Sequence, residues 1–403
     1  MKKSRFFIFL MAVMCVVTLF SGCNQPQTPQ DAAWDDILFN KGLLAVKEDG
    51  AYGYVNVKGE FVIEPQFERA FNFGSNGLAR VKKDNFYGVI NTKGETVVDF
   101  EFDVIYDFKD NDTAVVILDD KWSCIDEKGN LLFNPQYDKI YGFTSCGLSA
   151  AQIGDKWCYI DKTGKDVFEK SFEAAGSFGK NGIAKVKVDG LYGYINTSGA
   201  YVAEPQFEEA YGFGDTSLAA VQKNGQWGYI NEAGEVVCDF IFEGAYGFVN
   251  GLAIIKQDGK YGYVNEKFEI VIEPTYLLCK SFADNGLAWF KQDTRWGLIN
   301  RRGEVVMEPT YYKVDTFSSN GLALVMEREK NQSVDYDQGY VNTKGEVAID
   351  LQFDSATAFF SDGYAIVQIG DKYGVINEQG EFVLNPKYEG ICSVKVNAKE
   401  PNW

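Results

Sequence analysis

Not one histidine occurs among the 403 residues. A Ser-His-Asp or Cys-His relay, and every zinc site that needs imidazole, is thereby excluded, and any catalysis has to rest on carboxylate, lysine, tyrosine or cysteine. Bases are short as well: 39 Lys and Arg stand against 57 Asp and Glu, a net charge of -18. Such a field repels nucleic acid and other polyanions. The acids form no long tail and fall mostly at expected turns and strand ends, which reads as a solvated surface; a surface for divalent cations or basic ligands is the sharper alternative. No C-x-x-C pair occurs among the eight cysteines, so no metal framework is implied, and no cofactor or metal site is expected.

One long apolar run exists, Phe6 to Phe20, preceded by Lys2, Lys3 and Arg5. It is short for a membrane span and has the length of a signal h-region, so residues 1–22 read as an export signal. The run ends in Leu19-Phe20-Ser21-Gly22-Cys23, which resembles the lipobox of bacterial lipoproteins, with Phe20 where that family usually has Leu. The resemblance implies lipidation of Cys23, which becomes the mature N-terminus, and an extracytoplasmic location on a bacterial membrane, at the cell surface or in the periplasm. Residues 23–33, with Pro26, Pro29 and several glutamines, read as a flexible linker behind that anchor. Cys124, Cys146, Cys158, Cys238, Cys279 and Cys392 belong to the body; because they replace other repeat residues they read as small apolar substitutes, with disulfides as the alternative that an exported location permits.

What the chain has in abundance is repetition. Tyr52-Gly53-Tyr54-Val55-Asn56 returns at Tyr87, Trp122, Trp157, Tyr192, Trp227, Tyr261, Trp296, Gln338 and Tyr373, at intervals of 35 residues apart from one of 34 and one of 42. Self-similarity at a fixed period marks a repeat architecture. In the unit from Gly182 to Ala210, Ile183 to Val188 alternates as a strand, Asp189-Gly190 marks a hairpin, and Tyr192 to Asn196 forms the second strand. Asn196 and Gly199 bracket a second turn, and Tyr201 to Phe207 form a third strand, placed at an edge by Pro205. Nine of the ten copies keep the second turn's glycine; Phe268 takes its place in the seventh.

Aromatics recur between units at Phe73, Phe108, Phe143, Phe178, Phe213, Phe248, Phe282 and Phe317. They are expected to plug the gaps between sheets, each buried ring contributing roughly 1.5 to 3 kcal/mol. The leading Trp or Tyr of each motif reads as packing between repeats, with a sugar-stacking platform as the alternative.

Gly77-Leu78-Ala79, Trp227-Gly228-Tyr229-Ile230-Asn231 and Gly59-Glu60-Phe61-Val62-Ile63-Glu64-Pro65-Gln66-Phe67 together resemble the WG-containing, or KWG, repeat of bacterial surface proteins, over nearly the whole mature chain. That family carries no catalytic residues to transfer. The expected fold is all-β: residues 34–390 form ten three-stranded meanders stacked as an open superhelix or solenoid, with residues 391–403 as a C-terminal cap strand and tail and Trp34 to Asn40 capping the other end. A closed propeller-like ring or rings is the alternative, set second because propellers usually have about 4 to 8 blades. The expected function is a non-enzymatic, membrane-anchored scaffold that binds protein or glycan and no nucleic acid. A carboxylate-dependent glycan hydrolase and a structural envelope spacer are the rivals. Departures from the repeat, at Ser123, Cys158, Phe268, Gln338 and the insertion from Glu327 to Asp337, are the places to seek function.

Overall fold

A computed structural model of the chain describes residues 37–108, 112–213, 217–328 and 336–392. The segment read as an export signal, the expected linker with Cys23, and the residues from 393 onward lie outside them. Each motif builds one small antiparallel sheet, ten in all. In the second, Leu78–Lys83, Phe86–Asn91 and Thr96–Phe102 are the three strands of the expected meander. The hairpins form for the anticipated reason: Asp49 and Gly50 have φ of 50° and 83°, the pair of positive values that a type I′ turn requires. At the second turn the Asn56 side-chain oxygen accepts the Lys58 and Glu60 amides at 2.9 and 3.1 Å.

Most sheets have a fourth strand that periodicity did not reveal, two residues long in the second sheet (Arg69–Ala70), which pairs with Lys82 and Val81. The chain leaves the long last strand of one sheet at Phe67 and, with only Glu68 between, enters this short strand of the next. That single residue is put to use. Its carboxylate accepts a backbone amide from the hairpin turn of the sheet just entered, as Glu68 does from Asn85 at 3.1 Å. Asp103, Asp138, Glu173, Glu208, Glu243, Asp354 and Glu389 do the same, at 2.6 to 3.1 Å.

The array is a closed ring, a ten-bladed propeller, and not the open solenoid expected from its repeat number. After the tenth sheet the chain makes one more such crossing through Glu389, and Gly390–Ile391 pair with Lys47 and Val46 of the first sheet. Of the residues expected to cap two free ends, those described, among them Leu38, Phe39, Ile391 and Cys392, therefore form the seam. Leu38 and Phe39, ahead of the first sheet, join an apolar cluster with Phe360, Ile366 and Leu384 of the tenth. The Phe39 amide donates to Asp362 at 2.9 Å. The usual limit on blade number gives way because each crossing fixes the same relation between neighbours, and ten such steps complete a turn.

No blade buries itself; each neighbouring pair shares a cluster of apolar side chains. At six of the ten interfaces one tyrosine organises the contact. The hydroxyls of Tyr54, Tyr159, Tyr194, Tyr229, Tyr263 and Tyr340 each donate to the carbonyl 17 residues ahead, in the next blade, at 2.5 to 2.9 Å. Their rings lie 4.7 to 5.2 Å from Phe73, Phe178, Phe213, Phe248, Phe282 and Phe359 of that same blade. The periodic phenylalanines thus fill the gaps between sheets, as their spacing implied.

Where the tyrosine is replaced, another polar link spans the interface. In blade 2, which has Val89, Arg80 reaches the Ile105 carbonyl at 3.0 Å and the Asp107 carboxylate at 2.7 Å. Blade 3, with Cys124, sends the Tyr137 hydroxyl to Gly164 O at 2.7 Å. For blade 8, with Leu298, the Lys280 ammonium meets Val314 O at 2.7 Å. In the seam after Val375, the Phe39–Asp362 bond does this.

Two outcomes are expected. Tyr229→Phe keeps the ring and leaves the Tyr246 carbonyl without its donor, so urea unfolding should show a loss of about 1 kcal/mol. Burial also holds the six interface hydroxyls above the usual tyrosine value of 10.0. The unfolded chain therefore releases these protons first, and the stability they give is present below pH 10 and lost as pH climbs past it. Tyrosinate absorbance and far-UV dichroism should change together in alkali. Ionisation of these residues in a chain that stays folded contradicts this.

Candidate functional site

The motif glycine is fixed by its own blade. The last strand bulges across it, so a Cβ on Gly53 would lie 2.6 Å from the Ile63 carbonyl oxygen. Gly88, Gly193, Gly228, Gly262, Gly297, Gly339 and Gly374 are pressed in the same way, at 2.5 to 2.8 Å. No side chain fits there unless the last strand moves.

Blades 3 and 4 are where it has moved. Ser123 replaces the glycine in blade 3 and is fully buried, its hydroxyl donating at 2.6 Å to Phe133 O, the counterpart of the carbonyl that crowds Gly53. In blade 4 the replacement is Cys158. In both, the last strand shrinks to isolated bridges, Trp122–Tyr137 and Ile125–Leu131 in one, Trp157–Phe172 and Ile160–Asp166 in the other. Over Cys158 this opens a shallow cleft of about 380 Å³, walled by Ile153 and Trp157 and edged by Lys156, Asp166, Glu169 and Lys170.

The cleft's polar groups are held in place. Asp166 accepts the Phe168 and Glu169 amides at 3.1 Å each, and the Lys170 ammonium donates to Gly199 O of the next blade at 2.7 Å. Burial, with the Asp166 carboxylate adding to it, pushes the Cys158 thiol up to about 11. It is a neutral thiol at physiological pH and a poor nucleophile. The recess suits lodging a small group better than attacking one.

The other expected departures are structural. Phe268 takes the positive φ of the missing glycine, 64°, and its ring stacks on Tyr229 of the preceding blade at 5.3 Å, where Cys238 stands in place of a larger residue such as Ile63. Gln338, in place of the aromatic, bonds blade 10 through Asp354 O and the Ala356 amide at 3.3 and 2.9 Å. Of the insertion, Glu327 pairs with Arg295, while residues 329–335 lie outside the described ones. The leading aromatics are partly covered within their own blades: Trp122, Trp157 and Trp227 pack on Tyr106, Tyr141 and Tyr211 at 4.6 to 5.5 Å, and Lys185 and Lys187 lie over Tyr192. Of the six body cysteines, Cys124, Cys238, Cys279 and Cys392 are buried as expected, Cys158 is half-buried, and Cys146 is exposed.

Reading the motifs did not find the exposed apolar side chains of the last strands, among them Val62, Val236, Val237, Ile270, Val305 and Val347. Ile241 is the most exposed, at 59%, where the other copies carry Gln, Glu, Ser, Thr or Lys. Lining up the copies at that position shows the exception.

Among the described residues no group of three Asp, Glu or Cys side chains is placed to hold a metal ion, and no helix is long and apolar enough to cross a membrane. A family model for the WG containing repeat matches residues 52–85, 87–122, 122–157, 159–192, 192–227, 227–261, 261–293, 296–330, 339–373 and 373–393. No curated protein matches the sequence. Among solved structures, a eukaryotic initiation factor is similar with 10% identity and a TM-score of 0.53, over 87% of this chain and 97% of that one; this is a likeness of fold alone. Hsv2p of Kluyveromyces lactis aligns over 68% of this chain and 96% of its own, at 11% identity and a TM-score of 0.33. PorZ of Porphyromonas gingivalis aligns over 79% and 51%, at 8% identity and 0.27.

With its thiol protonated, Cys158 should resist iodoacetamide at about pH 8, while exposed Cys146 is alkylated; modification of Cys158 should rise only as pH approaches 11. Peptide mapping after timed labelling measures both, and equal rates at the lower pH overturn the assignment.

Proposed function

The chain belongs to the family of WG-containing repeat proteins, and from that premise we propose that it is a non-enzymatic binding scaffold. It is held outside the cytoplasm by a lipid on Cys23 and presents its propeller to protein or glycan partners. The observation that carries the binding reading is the set of exposed apolar side chains along the last strands of the blades. Apolar side chains left exposed on the same strand of successive blades offer a surface for interaction. The repeated polar groups have other employment: the crossing acids cap turns, the buried tyrosines tie blades, and the Asn-x-x-Gly residues close loops. The anchor and location rest on the signal-like segment ending at Cys23.

Two measurements test this. Full-length protein, immobilised and offered peptidoglycan, glycans and envelope proteins, should bind one class saturably, with no turnover; absence of binding to all three supports a spacer instead. Radiolabelled palmitate should enter the wild type and not Cys23→Ser, and equal incorporation removes the anchor from the proposal.

A further inference from the structure

Apolar exposure is not shared evenly among blades. Seven of the large exposed hydrophobics belong to three neighbours: Val236, Val237 and Ile241 of blade 6, Ile270, Val271 and Leu277 at blade 7, and Val305 of blade 8. Two of them break the repeat. Ile241 stands where the other copies are polar, and Leu277 where eight copies carry the turn-capping acid. Neither substitution serves the fold, since both side chains face solvent.

The last strand of blade 6, Val236–Phe242, ends its sheet, with one pairing neighbour. A free edge is a template for a further strand, and proteins guard such edges with proline, lysine or bulges; the bulge over the motif glycine is common to eight blades, blade 6 included, so proline and lysine are what distinguish one edge from another. Six blades have proline within this strand or its counterpart, at Pro65, Pro135, Pro205, Pro274, Pro309 and Pro386; blade 4 has Lys170 and blade 6 has Phe240. Blades 2 and 9 also lack proline, but the exposed residues of blade 2's strand are polar, Thr96, Asp99 and Glu101, and those of blade 9 include Asp350 and Gln352. Charge narrows the occupant further. From residue 224 to 255 there is no Lys or Arg, and Glu235 and Asp239 stand exposed along the strand. A second copy, at net charge -18, is repelled here.

We infer that the free edge of blade 6 accepts an extended segment of a partner protein, rich in β-branched and cationic residues, as an added fifth strand, with Ile241 and the neighbouring apolar side chains as its pockets. The inference rests on the binding-scaffold reading and specifies where and how one partner engages. Main-chain hydrogen bonds along the edge give affinity, and side-chain contacts with the acids give selectivity.

The probe is a synthetic peptide of about ten residues alternating valine and lysine, the length of one strand with overhang, titrated into the full-length protein by fluorescence anisotropy. Saturable binding is expected, weakened about tenfold by Val237→Lys and left unchanged by Gln66→Lys, at an exposed polar position on the last strand of blade 1. A peptide of the same charge interrupted by proline should not bind, because it cannot complete a ladder. Equal binding of the proline peptide, equal damage from both lysine variants, or no binding of the alternating peptide each overturns the added strand. If envelope partners are still captured, unaffected by Val237→Lys, the edge assignment alone has failed; if the wild type captures none, the scaffold reading has failed with it.

Discussion

Everything in this molecule depends on covering sheets that are too small to have an interior. A blade of three long strands and one short one has two apolar faces, and each finds cover only on its neighbour. The buried tyrosine at the third motif position meets this need with one side chain, burying a ring against the next blade's phenylalanine while its hydroxyl satisfies a carbonyl 17 residues ahead. A ring contact alone tolerates sliding; the added hydrogen bond fixes the offset between sheets, because a buried carbonyl left unpaired costs about 1 to 3 kcal/mol. Repeated around the array, a fixed offset becomes fixed curvature, and fixed curvature closes.

The exceptions follow the same rule. Interfaces without the tyrosine have a polar bridge from another position, whether Arg80, Tyr137 or Lys280. A phenylalanine occupies a glycine's place where Cys238 of the facing blade is small. By contrast, Ser123 and Cys158 displace a strand, and Ile241 and Leu277 place apolar surface in water. The first kind of departure keeps the fold; the second spends order or solubility for no structural return, which is why we place the proposed binding among such departures.

Much of this was legible in the sequence because local chemistry dictates it. Asp49-Gly50 and Asn56 to Gly59 form turns from their own residues, and Phe73 and its counterparts are core because nothing else explains their period. Closure was not legible, for a physical reason. The strand that closes the ring has two residues, Gly390 and Ile391, too few for any alternation, and its partner lies more than three hundred positions away. One clue was present: the chain continues past the tenth meander with an extra strand at Ile391, and the first sheet takes it as its own. The cleft was only half legible, since Cys158 was visible as a departure but its effect required knowing that the last strand crosses the motif glycine so closely that a Cβ on Gly53 would meet a carbonyl oxygen at 2.6 Å.

The seam is where the account is most exposed to test. A Cβ built on Gly390 lies 3.6 Å from that of Lys47, inside the range of about 3.5 to 4.5 Å that a disulfide spans. With exposed Cys146 changed to serine, Lys47→Cys combined with Gly390→Cys should form an intramolecular disulfide under mild oxidation, seen by mass spectrometry, and raise the melting temperature. In an open array the two positions lie at opposite ends of the molecule; failure of the folded monomer to form this bond contradicts the closed ring.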